Sequence, residues 1–217
     1  MMKTILAYGD SLTYGASPIA GGPRHAYEDR WPTVLEAGLG GAARVIAEGL
    51  GGRTTAHDDW FANADRNGAR ILPTLLESHS PLDLVIIMLG TNDLKPHLGR
   101  TASEAGRGMG RLVQVIRGHY AGKREPEPGI ILVAPPVLTD TDNLDMKTHF
   151  GGDLTYVEQS RLFATEYRKR AEEHGVHFFD AASVATTDPR DGIHLDAANT
   201  RAIGQGLVPL VKQVLGI

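Results

Sequence analysis

An α/β fold with one parallel sheet packed between helices is the class predicted by this 217-residue sequence. Three observations predict it. Five short runs rich in Val, Ile and Leu recur at wide spacing, amphipathic stretches of helical length separate them, and Gly, Asn and Asp gather just after the runs. Alternation of that kind buries a parallel sheet on both faces beneath its crossover helices. With 41% hydrophobic residues, a chain this long hides roughly 70% of the surface its unfolded form exposes. One domain over residues 1–217 is expected.

The elements follow in order. Residues 4–8 form the first predicted strand, 31–39 the first long helix, 44–47 the second strand and 69–78 the next helix. Residues 82–89 are the most apolar run, interrupted only by Asp83, and predict a strand at 84–89. A helix at 103–120, a strand at 130–134, a helix at 156–174, a strand at 176–179 and a last helix at 197–215 complete the pattern. Runs of four to eight residues read as strands buried on both faces, and the longer periodic stretches as helices. The 26 glycines concentrate after strands and in the 38–41 turn, where they act as punctuation. Residues 134–155 have no clear period, and a loop of that length is usually functional or mobile.

Composition excludes several classes. Lys and Arg number 22 against 26 Asp and Glu, a net charge of −4 with no basic cluster, so no nucleic-acid surface is expected. Cysteine is absent, which excludes disulfides, thiolate metal sites and a cysteine nucleophile. The apolar stretch before Gly9 is too short for a signal peptide, and no run approaches a membrane span, so no membrane partner and a cytoplasmic location are expected.

A parallel sheet collects its working groups on the loops after its strands. After the first strand stands Gly9-Asp10-Ser11-Leu12-Thr13. Ser11 reads either as a helix N-cap or as a nucleophile, and the second reading needs an imidazole oriented by a third group. Asp191-Gly-Ile-His194, just before the last helix, offers a carboxylate and an imidazole three positions apart. That spacing suits an Asp-to-Nδ1 contact with Nε2 left free, although capping chemistry gives the same letters. Gly90-Thr-Asn92-Asp93 follows the third strand, where an Asn amide could donate to an oxyanion or serve a turn. Glu48-Gly-Leu-Gly-Gly52-Arg-Thr-Thr follows the second and matches no phosphate loop.

The four blocks, in this order, resemble the SGNH (GDSL-type) hydrolases: Gly9-Asp10-Ser11, an oxyanion glycine, Gly90-Thr91-Asn92-Asp93 and Asp191-Gly192-Ile193-His194. GDSLTYG, EGLGGRTT and DGIHLDAAN are further similar to the bacterial arylesterase and acyltransferase subgroup. The resemblance implies a flavodoxin-like three-layer α/β/α sandwich with a central five-stranded parallel sheet. It implies Ser11 as nucleophile, His194 as base and then acid, and Asp191 orienting the ring. Ser11, Gly52 and Asn92 would form the oxyanion hole, with Gly49 as the alternative glycine. Asp10, Leu12, Asp93, Lys95 and Ile193 would bind substrate. No cofactor or metal is implied. The substrate would be a small acyl ester hydrolysed through an acyl-serine, with O-acetylated sugars as the alternative. A pocket polar around Asp93, Lys95 and Asp153 would favour sugars. Members of the subgroup tend to form homo-oligomers, dimer-based and up to octamers. Its acyl-transferring members carry a bulky aromatic where Ala16 stands here, so hydrolysis is the expected outcome.

Residues 134–155 would then be a lid or a subunit contact, with Val137, Leu138, Leu144, Met146 and Phe150 facing a neighbour. Trp31 and Phe178 read as core, and residues 24–30 as a solvated approach to a helix. His57, Asp58 and Asp59 are candidate metal ligands without a second matching cluster.

Overall fold

The computed structural model describes residues 2–99 and 101–217. Five strands, β1 (Lys3–Gly9), β2 (Ala43–Gly49), β3 (Leu84–Met88), β4 (Gly129–Ala134) and β5 (His177–Asp180), form one parallel sheet in the order β2-β1-β3-β4-β5. That is the flavodoxin-like order, whose reversal of direction at β1 leaves a crevice between the carboxyl ends of β1 and β3. Eight α-helices are described: α1 (Ser11–Tyr14), α2 (Trp31–Gly38), α3 (Gly68–Ser78), α4 (Ala102–Tyr120), α5 (Leu144–His149), α6 (Thr155–Ser160), α7 (Phe163–His174) and α8 (Ala197–Leu215). Among the described residues no helix is long and apolar enough to cross a membrane.

The alternation of strand side chains divides the core in two. Leu6 and Tyr8, Val85 and Ile87, and Ile130 and Leu132 face one layer, with Leu72 and Leu76 of α3, Met109 and Leu112 of α4, and Tyr167 of α7. Ile5 and Ala7, Leu84 and Ile86, and Ile131 and Val133 face the other, with Trp31 and Leu35 of α2 and Ile203, Leu207 and Val211 of α8. β3 is therefore apolar throughout, as are residues 5–8 of β1 and 130–134 of β4, as sandwiching between two helical layers requires. The predicted helices have matching starts: Asn67, Thr101 and Asp196 cap α3, α4 and α8 by accepting backbone N–H bonds.

The structure corrects three expectations. The β2 strand lies at the sheet edge and is half-exposed along most of its length, so it is not buried on both faces. The helix expected at 156–174 is two helices. The Ser160 hydroxyl donates to Val157 O (2.7 Å) and accepts from Leu138 N (2.9 Å), tying the end of α6 to the strand-four loop, and α7 restarts at Phe163. Within 134–155 the short helix α5 is capped by Asn143, and Leu138 and Phe150 turn inward, with Phe150 packed on Tyr156 at 5.4 Å between ring centroids. Leu144 is the member of the five that stands exposed. Trp31 is core as expected, whereas Phe178 is half-buried with the Arg168 guanidinium 4.5 Å above its ring.

Two features place the crevice residues. Glycines end β1 and β2 side by side, in register. A Cβ on Gly9 would lie 2.0 Å from Thr13 Oγ1, and one on Gly49 would lie 2.1 Å from Tyr14 N. The turn α1 therefore lies directly on the strand tips. On the other side of the crevice Asp93, 1% exposed, accepts from Thr55 N (3.0 Å) and from the Thr55 hydroxyl, joining the β3 loop to the β2 loop. Burial raises the Asp93 carboxyl from 3.8 to about 6, against the lowering effect of Thr55 and of His57, whose Nε2 is 3.8 Å away.

Two outcomes are expected. Gly49→Ala should cost about 2 kcal/mol or more in urea unfolding, because its Cβ meets rigid backbone. Gly51→Ala, whose Cβ meets nothing within 4 Å, should cost less than about 0.5 kcal/mol. For Asp93, the folded state holds the proton more tightly than the unfolded chain, so its stabilising contribution is present below pH 3.8 and is lost as pH rises to about 6. The stability of wild type minus that of Asp93→Asn should fall across that window in denaturant titrations at stepped pH. A flat difference would show that the carboxyl does not titrate there.

Candidate active site

Ser11 is the first residue of α1, at the tip of β1. Asp10 caps the turn by accepting from Leu12 N (3.0 Å), and Tyr14 N returns to Asp10 O (2.9 Å). The capping role open to Ser11 is thus taken by its neighbour, and the serine hydroxyl is left to face the crevice. There Ser11 Oγ lies 3.0 Å from His194 Nε2.

The histidine arrives on a tight loop. Gly192 N donates to Asp188 O (2.8 Å), Asp188 N donates to His194 O (2.8 Å), and Gly192 adopts φ +75°. A Cβ at Gly192 would stand 2.2 Å from Thr139 O, so the loop needs glycine for both conformation and space. The fold of this loop brings Asp191 Oδ2 to 2.6 Å from His194 Nδ1, while Oδ1 accepts from Ile193 N and His194 N, each at 2.9 Å. Burial would raise the Asp191 carboxyl, but the bond from His194 and the two backbone donors outweigh it and hold it below the usual carboxylate range. With Nδ1–H given to Asp191, the ring presents Nε2 to Ser11 as an acceptor, the tautomer that can take a hydroxyl proton.

Gly52 and Asn92 stand on the wall of the same cavity, which encloses about 550 Å³ beside Ser11 and His194. Arg53 N bonds Leu50 O (3.0 Å) across a turn in which Gly52 has φ +81°, a value that favours glycine at this position. Gly49 instead packs under α1, away from the cavity wall. The Asn92 amide nitrogen is 3.3 Å from Asp10 Oδ2 and 3.2 Å from Arg53 O. Both amide hydrogens are thus held in long bonds within the protein. Asp10 itself is pushed up to about 6 by burial, despite the Leu12 N–H and the nearby His194 and Arg53.

Of the residues expected to bind substrate, Lys95 and Ile193 line the cavity. Asp10, Leu12 and Asp93 are buried behind its wall: Asp10 on Asn92, Leu12 in the α2/α8 core layer, and Asp93 on Thr55. Asp153 is also off the wall and accepts from Thr155 N (3.0 Å). Sequence reasoning missed Asp59, Phe61 and Arg66 from the β2–α3 loop, His97 from the segment between β3 and α4, and His149 on the cavity, where Met146 and Phe150 from α5 and its end also stand. The histidine-aspartate string at 57–59 carried a signal, but a different one from metal binding. Asp58 pairs with Arg70 (2.7 Å) and Asn67, while Asp59 pairs with Lys95 and His97, each at 3.1 Å. Burial would raise Asp59, yet the bonds from Lys95 and His97 hold it below its ordinary value.

The GDSL-like lipase/acylhydrolase family model matches residues 7–202. No curated protein matches the chain. Among solved structures, a carbohydrate acetylesterase family member from Sinorhizobium meliloti is 53% identical, with a TM-score of 0.94 and all of both chains covered. A candidate arylesterase from Agrobacterium tumefaciens strain C58 is 51% identical, with a TM-score of 0.90, covering 99% of this chain and 100% of that one. The aryl esterase of M. smegmatis is 40% identical, with a TM-score of 0.91, over 98% of this chain and 100% of that one. A four-block sequence, a 2-1-3-4-5 parallel sheet and a family match over most of the length lead to one assignment: the chain belongs to the GDSL-like lipase/acylhydrolase family, as a carboxylic ester hydrolase with the SGNH fold.

Proposed function

We propose that the chain hydrolyses short-chain acyl esters through an acyl-serine, and the observation that carries this is His194 standing 3.0 Å from Ser11 Oγ and 2.6 Å from Asp191. Ser11 Oγ attacks the ester carbonyl carbon as its proton passes to His194 Nε2, and Asp191 stabilises the imidazolium. The carbonyl oxygen becomes an oxyanion between Ser11 N–H, Gly52 N–H and the Asn92 amide. Being more basic than either present partner of Asn92, it draws one amide hydrogen from Asp10 or Arg53 O as charge develops. Collapse expels the alcohol, which takes its proton from His194. Water then attacks the acyl carbon, giving its proton to the same nitrogen, and the acid leaves with Ser11 restored.

The apolar part of the cavity, Phe61, Met146, Phe150 and Ile193, suits an aryl or alkyl ester. Acetylated carbohydrate is the second reading, favoured by the Asp59, Lys95 and His97 group that lines the same cavity and in keeping with the name of the S. meliloti relative. Ala16 lines a second hollow that shares Met146 and His194, which gives water room beside the imidazole and favours hydrolysis over acyl transfer.

The test is turnover of p-nitrophenyl acetate, butyrate and octanoate and of acetylated xylose, with an added alcohol as competing acceptor. Acetate should be preferred, with free acid the main product. Ser11→Ala should abolish turnover, and undiminished activity in that variant would remove the mechanism. Asn92→Ala should lower kcat by about 10²–10³ if its amide serves the oxyanion. Asp191→Asn should lower it by a factor on the order of 10⁴ through loss of the ring tautomer.

A further inference from the structure

Arg66 is the cavity residue for which the reaction above has no use. Its side chain forms no hydrogen bond or ion pair among the described residues, with Nη1 buried and unmet, and the residue lies on the cavity wall shared with Ser11, Gly52 and His194. A guanidinium carries five donors and is always charged, so an unpaired guanidinium on the wall of an open cavity marks a place for an acceptor that the protein itself does not supply.

The residue is held there by construction. Arg66 O accepts from Thr54 N (2.9 Å) and from the Thr54 hydroxyl (3.1 Å), and Thr54 is fully buried. The side chain then crosses the bare face of Gly52: a Cβ on that glycine would lie 3.1 Å from Arg66 Nε and 3.4 Å from its Cδ. Nearby acids are engaged elsewhere. Asp58 and Asp65 both pair with Arg70, and Asp59 is shared by Lys95 and His97. Among the described residues no carboxylate pairs with Arg66. The oxyanion, for its part, has three donors without it.

From this we infer that Arg66 is a specificity-determining residue that receives a carboxylate carried by the ester substrate, so that the preferred esters are anionic. This rests on the ester hydrolysis proposed above. Planar guanidinium and carboxylate groups match as a two-bond fork, and the unpaired Arg66 guanidinium supplies one side of it. Lys95 cannot substitute, because Asp59 already neutralises it.

The test compares kcat/KM for charged and neutral esters in two arms. 3-Acetoxybenzoate against phenyl acetate places the carboxylate on the leaving group, and monomethyl glutarate against methyl butyrate places it on the acyl chain. In at least one arm the charged-to-neutral ratio should fall about 10- to 100-fold in Arg66→Gln. Unchanged ratios in both arms would overturn the inference while leaving the esterase reading intact. If Arg66→Gln does not fold, Arg66→Met is measured by the same ratios. If wild type turns over no ester at all, the esterase reading fails. The inference is then decided by calorimetric binding of glutarate: binding that is lost in Arg66→Gln supports it, and equal or absent binding in wild type overturns it.

Discussion

Gly9 and Gly49 stand beside each other at the tips of two parallel strands, and the rest of the site depends on neither having a side chain. The turn α1 rests on them, the Thr13 side chain over Gly9 and the backbone of Thr13 and Tyr14 over Gly49, which turns the chain sharply after β1 and leaves Ser11 Oγ within reach of His194. A methyl group at either position would lift the turn. The partner loop obeys the same constraint, since Gly192 lies against Thr139 O and bends Asp191 back onto His194. Two residues 183 positions apart meet at 3.0 Å because close backbone packing, at opposite ends of the chain, leaves each loop one available path.

Three carboxylates crowd this edge, and their surroundings separate them. Asp10 and Asp93 are almost wholly buried, and for both the loss of hydration outweighs the bonds they accept, so both rise to about 6. Asp191 is buried too, yet it accepts from His194 and from two backbone amides and falls below its ordinary range. The carboxyl that must stay charged opposite an imidazolium is the one given enough donors to do so. The other two act as braces: Asp10 holds the first turn and the Asn92 amide, and Asp93 holds Thr55. Charge and support are thus divided among groups of the same chemistry by the number of N–H bonds each receives.

The fold was legible because the central strands carry unbroken apolar runs of four to five residues, which a two-layer core demands and a sequence displays directly. The β2 edge escaped that reading, since Arg-Val-Ile-Ala looks the same whether one face or two is covered. The break between α6 and α7 depends on a Ser160 contact with Leu138, twenty-two residues away, which no local pattern records. At the site, Ser11, Gly52, Asn92, Asp191 and His194 were legible as strand-end blocks, and so were Lys95 and Ile193 on the cavity wall. Asp10, Leu12 and Asp93 stand behind the wall, because a place in or beside a block says nothing about which way a side chain points. Arg66 was invisible for the opposite reason: it belongs to the loop after β2, and its neighbours Asp58, Asp59 and Asp65 seem to neutralise it until Arg70, Lys95 and His97 are seen to claim them.

That division has a consequence for how the site is built. Ser11 stands at the tip of β1, Gly52 and Asn92 follow the ends of β2 and β3 within four residues, and Asp191 and His194 sit on the tight loop before α8. The remainder of the cavity comes from the β2–α3 loop and from α5, segments held by a few contacts: Thr54 to Arg66, Asp59 to Lys95 and His97, and Phe150 to Tyr156. Replacing a side chain on those loops changes what fits without moving Ser11 or His194. Related structures named for aryl esters and for acetylated carbohydrates can then share one sheet and one strand-end geometry, because selectivity and chemistry rest on parts of the chain that meet only at the cavity wall.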